Sequence, residues 1–228
     1  MSENPVKPKR RPRGDTRRAL IDGAFKLLDG QKSFAGLSQR ELTRAVGIVP
    51  TAFYRHFESM DALGEALVEE AFRGLRQILA DVRNDLSTAD HPVGTVMKSL
   101  IKHVRAHRAR FRFIAAERFA GGGVVRDAIR REIRLVHAEL AIELARFPYL
   151  REWPVEDLHM ISSLMINSMV AVAEEILERK PSDKAGEKEL VQLAEKQLRL
   201  ILLAVPAWKP QNSSHTAKRG ADLIQPAV

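Results

Sequence analysis

Apolar positions recur with helical spacing through most of this chain, and no run alternates as a strand would. Leu20, Ala24, Leu27 and Leu28 share one face of a first helix, expected from about Thr16 to Asp29 with Gly30 as its stop. Ser38 and Glu41 form a capping box, and Leu37 and Leu42 flank it as a hydrophobic staple. That second helix is expected to end at Val46, where Gly47 can turn left-handed. Pro50 suits a first helical position, because its missing N–H would be unpaired there anyway, so a third helix is expected over 50–57. Ser59 can cap a fourth, with Asp61 near its positive end, and Phe72, Leu75 and Leu79 carry it to about Leu86. Later breaks fall at STADHP (87–92), GGG (121–123), FPYLREWP (147–154) and KPSDKAG (180–186), with long amphipathic segments between them.

This pattern predicts an all-α fold with an N-terminal three-helix helix-turn-helix domain and a larger C-terminal helical domain. The expected boundaries are a flexible basic arm over 1–14, the helix-turn-helix domain over 15–60, a helical domain over 61–205 and a loose tail over 206–228.

Within the helix-turn-helix, Ala45 is expected where the two helices approach closely, and Ile48 supplies an apolar residue in the turn. Phe53 and Phe57, four apart, should plug the core against the first helix. That turns Thr51, Tyr54 and Arg55 outward, with Val49, Ala52 and His56 at the edges. Such a face suits a DNA major groove: Arg can fork to guanine, and Val, Ala or the Thr methyl can meet a thymine methyl. Tyr54 and His56 are better placed for phosphates, and Ser38 and Gln39 stand at a helix N-terminus that favours another. Arg13 and Arg17, within the basic run over 9–18, can follow the backbone or enter the minor groove.

Composition strengthens that reading. The 228 residues are 45% hydrophobic, enough for a sizeable core, and carry a formal charge of +8, which favours an anionic partner. With no cysteine, disulfides, thiolate catalysis and cysteine-bound zinc are excluded. The basic N-terminus lacks the apolar run of a signal peptide, and LILLAV (200–205) is far short of a bilayer span, so a cytoplasmic protein without membrane contact is expected.

The stretch GIVPTAFYRHFESMDALGEALV (47–68), after LSQRELTRAV (37–46), closely resembles the DNA-binding domain of TetR-family transcriptional regulators, over about residues 14–68. The resemblance implies phosphate contacts by Tyr54 and His56 and base-edge positions for Val49, Thr51, Ala52 and Arg55. Many members carry a phosphate-binding lysine at the start of the fourth helix; Met60 and Asp61 stand there in this chain, so that contact is expected to be missing or replaced. FRFIAAER (111–118) and RDAIRREI (126–133) extend the likeness toward the FabR/DesT group of fatty-acid-synthesis repressors. That implies an acyl-CoA or acyl-thioester effector in the C-terminal domain and control of unsaturated fatty-acid genes. It also implies a homodimer through the last two helices, about 155–179 and 184–204. Other TetR-type effectors, governing efflux or catabolic genes, remain open.

Candidate effector contacts are Phe72, Met97, Phe113, Arg118, Met165, Asn167 and Met169. Methionines can line a deformable acyl pocket or simply fill a bundle core. Asn167 and Ser168, polar within an apolar run, fit a pocket or a seam between helices. Arg126, Arg130 and Arg134 can meet phosphates or form a solvated face with Asp127 and Glu132. His103/His107 and Glu156/His159 have helical metal-pair spacing without further ligands, so neither a metal nor a cofactor is expected. No nucleophile–base pair suggests catalysis, which leaves an acyl-thioester-handling enzyme and a nonspecific basic DNA-binder as the rival classes.

Overall fold

The structure is a computed structural model describing residues 13–29, 32–86, 92–120, 123–180 and 182–209, with side chains from Asp15 onward except over 77–92. Most of the basic arm, the Gly30 stop, the Leu79 side chain, most of the STADHP and GGG breaks and the tail beyond Lys209 lie outside these residues. Nine α-helices and two 3-10 turns make up the described fold, and no strand occurs among the described residues. The helices are α1 (Arg13–Leu28), α2 (Gln39–Val46), α3 (Pro50–Phe53), α4 (Met60–Leu86), α5 (Pro92–Ala106), α6 (Arg108–Glu117), α7 (Val124–Leu144), α8 (Val155–Glu178) and α9 (Lys184–Ala204). A 3-10 turn over Phe34–Gly36 links α1 to α2.

The first three helices do not form a separate core. Leu20, Ala24 and Phe25 of α1 pack with Leu42, Phe53 and Phe57, and the same apolar cluster continues through Leu63, Leu67 and Phe72 of α4. It then reaches Phe113 of α6, Ile129 and Val136 of α7 and Ile166 of α8. A second cluster joins Met97, Leu100 and Val104 of α5 to Val172 and Ile176 of α8 and to Ala194 and Leu198 of α9. A third, of Ala141, Leu144, Leu150, Leu158 and Ile161, closes the α7–α8 end. Helix α8 is long and apolar enough by composition to cross a bilayer. Here it packs against α5, α6, α7 and α9, which explains an apolar pattern nearly all round.

Two glycines mark where helices meet. The small residue at the α1–α2 approach is Gly23, where a Cβ would lie 2.6 Å from Val46 Cγ2, and Ala45, expected where α2 and α3 approach, is exposed. Periodicity identifies small residues on a helix but not which of them faces a neighbour. On α4, a Cβ at Gly64 would lie 2.6 Å from Val125 Cγ2 and 2.8 Å from the Phe34 ring. That position therefore brings α4, α7 and the Phe34 turn together.

Substitutions on α4 test this packing. Gly64→Ala should lower stability by about 1–3 kcal/mol through overpacking, despite alanine's better helix propensity. Gly74→Ala, with nothing within 4 Å of the added methyl, should raise it by roughly 0.5–1 kcal/mol. Urea unfolding midpoints of the two variants should shift in opposite directions.

Candidate nucleic-acid interface and apolar cavity

Local capping chemistry sets the geometry of α2 and α3. The Ser38 hydroxyl accepts the Glu41 N–H at 3.2 Å. A hydrogen bond from Lys32, aided by its charge and the Ser38 N–H and opposed by burial, holds the Glu41 carboxyl below its ordinary range. Gly47 ends α2 at φ 74° and ψ 39°, a left-handed conformation that L side chains adopt only with strain. Helix α3 starts at Pro50 as expected but stops at Phe53, not at 57. Residues 54–56 continue as a turn, in which the His56 N–H bonds to Phe53 O at 2.9 Å and the Phe57 N–H to the same oxygen at 3.1 Å. Such a tightened last turn is a common way to satisfy terminal carbonyls. Both rings still enter the core: Phe53 and Phe57 are buried, with centroids 5.7 Å apart.

That burial leaves Val49, Thr51, Tyr54 and Arg55 exposed and Ala52 and His56 half-buried. Gln39 ties the two helices, its Nε2 donating to Pro50 O at 2.9 Å. Its Oε1 accepts the Tyr54 hydroxyl at 3.4 Å. A phosphate oxygen can only accept, so Tyr54 must turn its hydroxyl away from Gln39 to reach one. Arg17 lies 5.1 Å above the Phe57 ring, which sets its guanidinium beside the recognition segment. The Arg13 side chain lies outside the described residues. Arg40 and Arg44, four apart on α2, are also exposed and add positive charge, and their i, i+4 spacing on the polar face is a signal present in the sequence.

Behind this unit, α6 carries two faces. Arg110, Phe113 and Glu117 point toward the first helices: Arg110 lies over the Phe25 ring at 5.8 Å, and Phe113 meets Phe25 and Phe34 edge-on. Buried Glu117 accepts the Phe34 backbone N–H at 2.7 Å, and Arg112 pairs with Asp29 at 2.7 Å. Phe111, Ile114, Ala115 and Arg118, at helical spacing on the other face, line a cavity of about 80 Å³. Its remaining walls come from α4 (Phe72, Leu75), α5 (Leu100), α7 (Ile133, Val136) and α8, where Met169, Val170 and Glu174 face it.

Of the candidate effector contacts, Phe72, Arg118 and Met169 stand in this wall. Met97 is fully buried in the α5–α8–α9 cluster, and Phe113 belongs to the core shared with α1. Met165 packs between the second and third clusters, and Asn167 is exposed. These four lie outside the wall, which is mainly aliphatic, because residue type does not show which side of a helix opens onto a void. Ser168 donates to Gln197 Oε1 at 3.1 Å, so it belongs to the α8–α9 seam. Arg130 and Arg134 are exposed, while Glu132 pairs with Arg76 of α4 at 2.5 Å rather than with the arginine row. The His103 and His107 rings are 5.8 Å apart, and the described residues contain no group of three or more His, Cys, Asp or Glu able to hold a metal.

Residues 20–67 match the family model described as bacterial regulatory proteins, tetR family. The match spans α1 from Leu20, α2, α3 and the start of α4, so this segment is similar to that family's N-terminal domain. The fold of the whole chain is also that of solved structures. A transcriptional regulator from Pseudomonas aeruginosa PAO1 is 14% identical, over 90% of this chain and 99% of its own, with a TM-score of 0.67. AibR, solved in complex with isovaleryl coenzyme A and operator DNA, is 15% identical over 80% of this chain and 97% of its own, with a TM-score of 0.59. The multidrug binding protein EbrR, complexed with imidazole, is 18% identical over 87% and 97%, with a TM-score of 0.58.

Two substitutions separate positioning from reading at this candidate interface. Tyr54→Phe should weaken all DNA sequences alike, by about tenfold, through loss of one charge-assisted hydrogen bond. Arg55→Ala should cost about 1–3 kcal/mol at one base position and flatten preference there. Competition binding against a set of single-base operator variants, selected from a random library, distinguishes the two patterns.

Proposed function

We propose that the chain is a homodimeric repressor whose operator affinity is set by an apolar effector held among α4–α8. In this reading the helices before Met60 read DNA, and the remainder binds effector and pairs the subunits, in the cytoplasm where the operator lies. The observation that carries it is the sharing of α6: one face lines the cavity, and the other holds Phe34 and Phe25 beside the helix-turn-helix. A ligand that moves α6 relative to α8 must disturb those contacts. A 100-fold change in operator affinity needs only ~2.7 kcal/mol. The Glu117–Phe34 hydrogen bond, to a buried carboxylate, is of that order, about 1.5–3 kcal/mol.

The proposed effector is a long-chain acyl thioester such as acyl-CoA, and the proposed targets are genes of unsaturated fatty-acid synthesis. The almost wholly apolar wall supports an acyl chain, and AibR, of the same fold, was solved with an acyl-CoA and operator DNA. At about 80 Å³ the cavity is smaller than the ~150 Å³ void known to hold benzene. A long chain would therefore have to widen it, and widening is what would displace α6. The same small volume favours a second reading, a compact apolar effector that governs efflux or catabolic genes.

Subunit pairing is assigned to α8 and α9. Met160, Leu164, Asn167 and Ala171 form an exposed stripe on α8, and Leu200 and Leu203 on α9 are 70% and 74% exposed. Met160 and Leu164 on α8, beside Leu200 and Leu203 on α9, are exposed apolar residues of the kind a four-helix bundle between two copies would cover.

A DNA titration at fixed salt tests the function. A repressor should prefer its operator over random DNA by about 10³-fold or more, and added acyl-CoA should change that affinity by about 100-fold. Equal affinity for both sequences would overturn the repressor reading, and thioester turnover without DNA binding would favour the enzyme.

A further inference from the structure

The cavity wall is apolar except at one place. Arg118, the residue that caps α6, and Glu174 of α8 both belong to the wall, and they pair at 3.2 Å. Their side chains are 24% and 37% exposed, so the pair stands where the cavity meets solvent. An ion pair this exposed contributes little and exchanges partners readily.

The two members are not held equally. Arg118 lies 4.3 Å above the Phe119 ring, a cation–π contact that keeps the guanidinium seated when its carboxylate partner leaves. It also stands at the C-terminal end of α6, where the helix dipole favours positive charge. Glu174 is the more exposed of the two and can rotate toward water. An incoming cation would have to evict the pinned arginine, whereas an incoming anion need only replace the carboxylate. Guanidinium also offers a fork of donors matched to carboxylate or phosphate oxygens.

We propose that Arg118 reads the head of the effector: the cavity takes an amphiphile whose chain lies against Leu100, Phe111, Ile114 and Val170. Its anionic oxygen group then replaces Glu174 on the guanidinium. This rests on reading the cavity as the effector site. The anion has two possible sources, the carboxylate of a free fatty acid or the phosphates of an acyl-CoA.

Calorimetric titration of the full-length protein without DNA tests it, with decanoic acid, methyl decanoate, decylamine and decanoyl-CoA as probes. Wild type should bind decanoic acid or decanoyl-CoA about tenfold tighter than the uncharged ester. Arg118→Gln should erase that preference while leaving the ester's affinity unchanged. Glu174→Gln, by removing the competing carboxylate, should tighten the anionic probes and leave the ester unchanged, which keeps the test independent of the fate of the arginine variant. A preference for the CoA form over the free acid that disappears in Arg118→Gln assigns the anion to the phosphates; the converse assigns it to the carboxylate. Equal binding of acid, CoA form and ester, or tighter binding of the amine, would overturn the head-reading role while leaving an apolar effector site intact. Failure of all four probes to bind would remove the effector site itself, and this inference with it.

Discussion

A single short helix has to satisfy two surfaces at once, and the rest of the molecule is arranged around that constraint. Helix α6 is ten residues long, yet it contributes one wall of the cavity and one wall of the core that supports the recognition segment. The two roles are separated by helical period: Phe111, Ile114, Ala115 and Arg118 on one face, Arg110, Phe113 and Glu117 on another. Glu117 makes the constraint strict. Its carboxylate is buried and accepts a backbone N–H from the turn between α1 and α2, so moving α6 against that turn strands a buried carboxylate.

Ties along α6 show where movement is resisted. Near its start, Arg108 donates to the carbonyls of Ile176 and Leu177 at 3.3 and 2.6 Å, anchoring the helix to the end of α8. Arg110 pairs with Glu70 of α4 at 2.9 Å, and Arg112 reaches Asp29. At the far end the ties are Glu117 to the Phe34 turn and the part-exposed Arg118–Glu174 pair. Expansion of the cavity is thus opposed firmly at the Arg108 end and less so at the Arg118 end, which favours a tilt of α6 about its start. Because packed interiors switch between discrete arrangements, a small tilt can reach Phe34 and Phe25 undiminished.

Capping and turn chemistry made the recognition unit legible in the sequence. Ser38, Glu41, Gly47 and Pro50 each act through their own backbone neighbourhood, so their structural roles follow from spacing alone. Burial of Phe53 and Phe57 likewise follows from period, and with it the outward face of Thr51, Tyr54 and Arg55. The tightening of the helix after Phe53 was not legible, because it depends on how the two rings seat in a core built by other helices. Nor was the cavity. The Glu117–Phe34 contact joins residues 83 apart in sequence, and both the seating of Gly23 at the α1–α2 approach and the exposure of Ala45 depend on which faces meet. Periodicity reports that a face is buried; the neighbour that buries it is a property of the assembled fold.

The coupling of the cavity through α6 to the helix-turn-helix is tested most directly at one amide. Hydrogen exchange of the Phe34 N–H should be measured in the free protein and in protein saturated with decanoic acid, with saturation verified by calorimetry. The account predicts protection of this amide in the free state and a loss of about tenfold or more on saturation, equivalent to about 1.4 kcal/mol, while the Ala24 amide inside α1 stays unchanged. Equal protection of Phe34 in both states, with the cavity demonstrably filled, would contradict it.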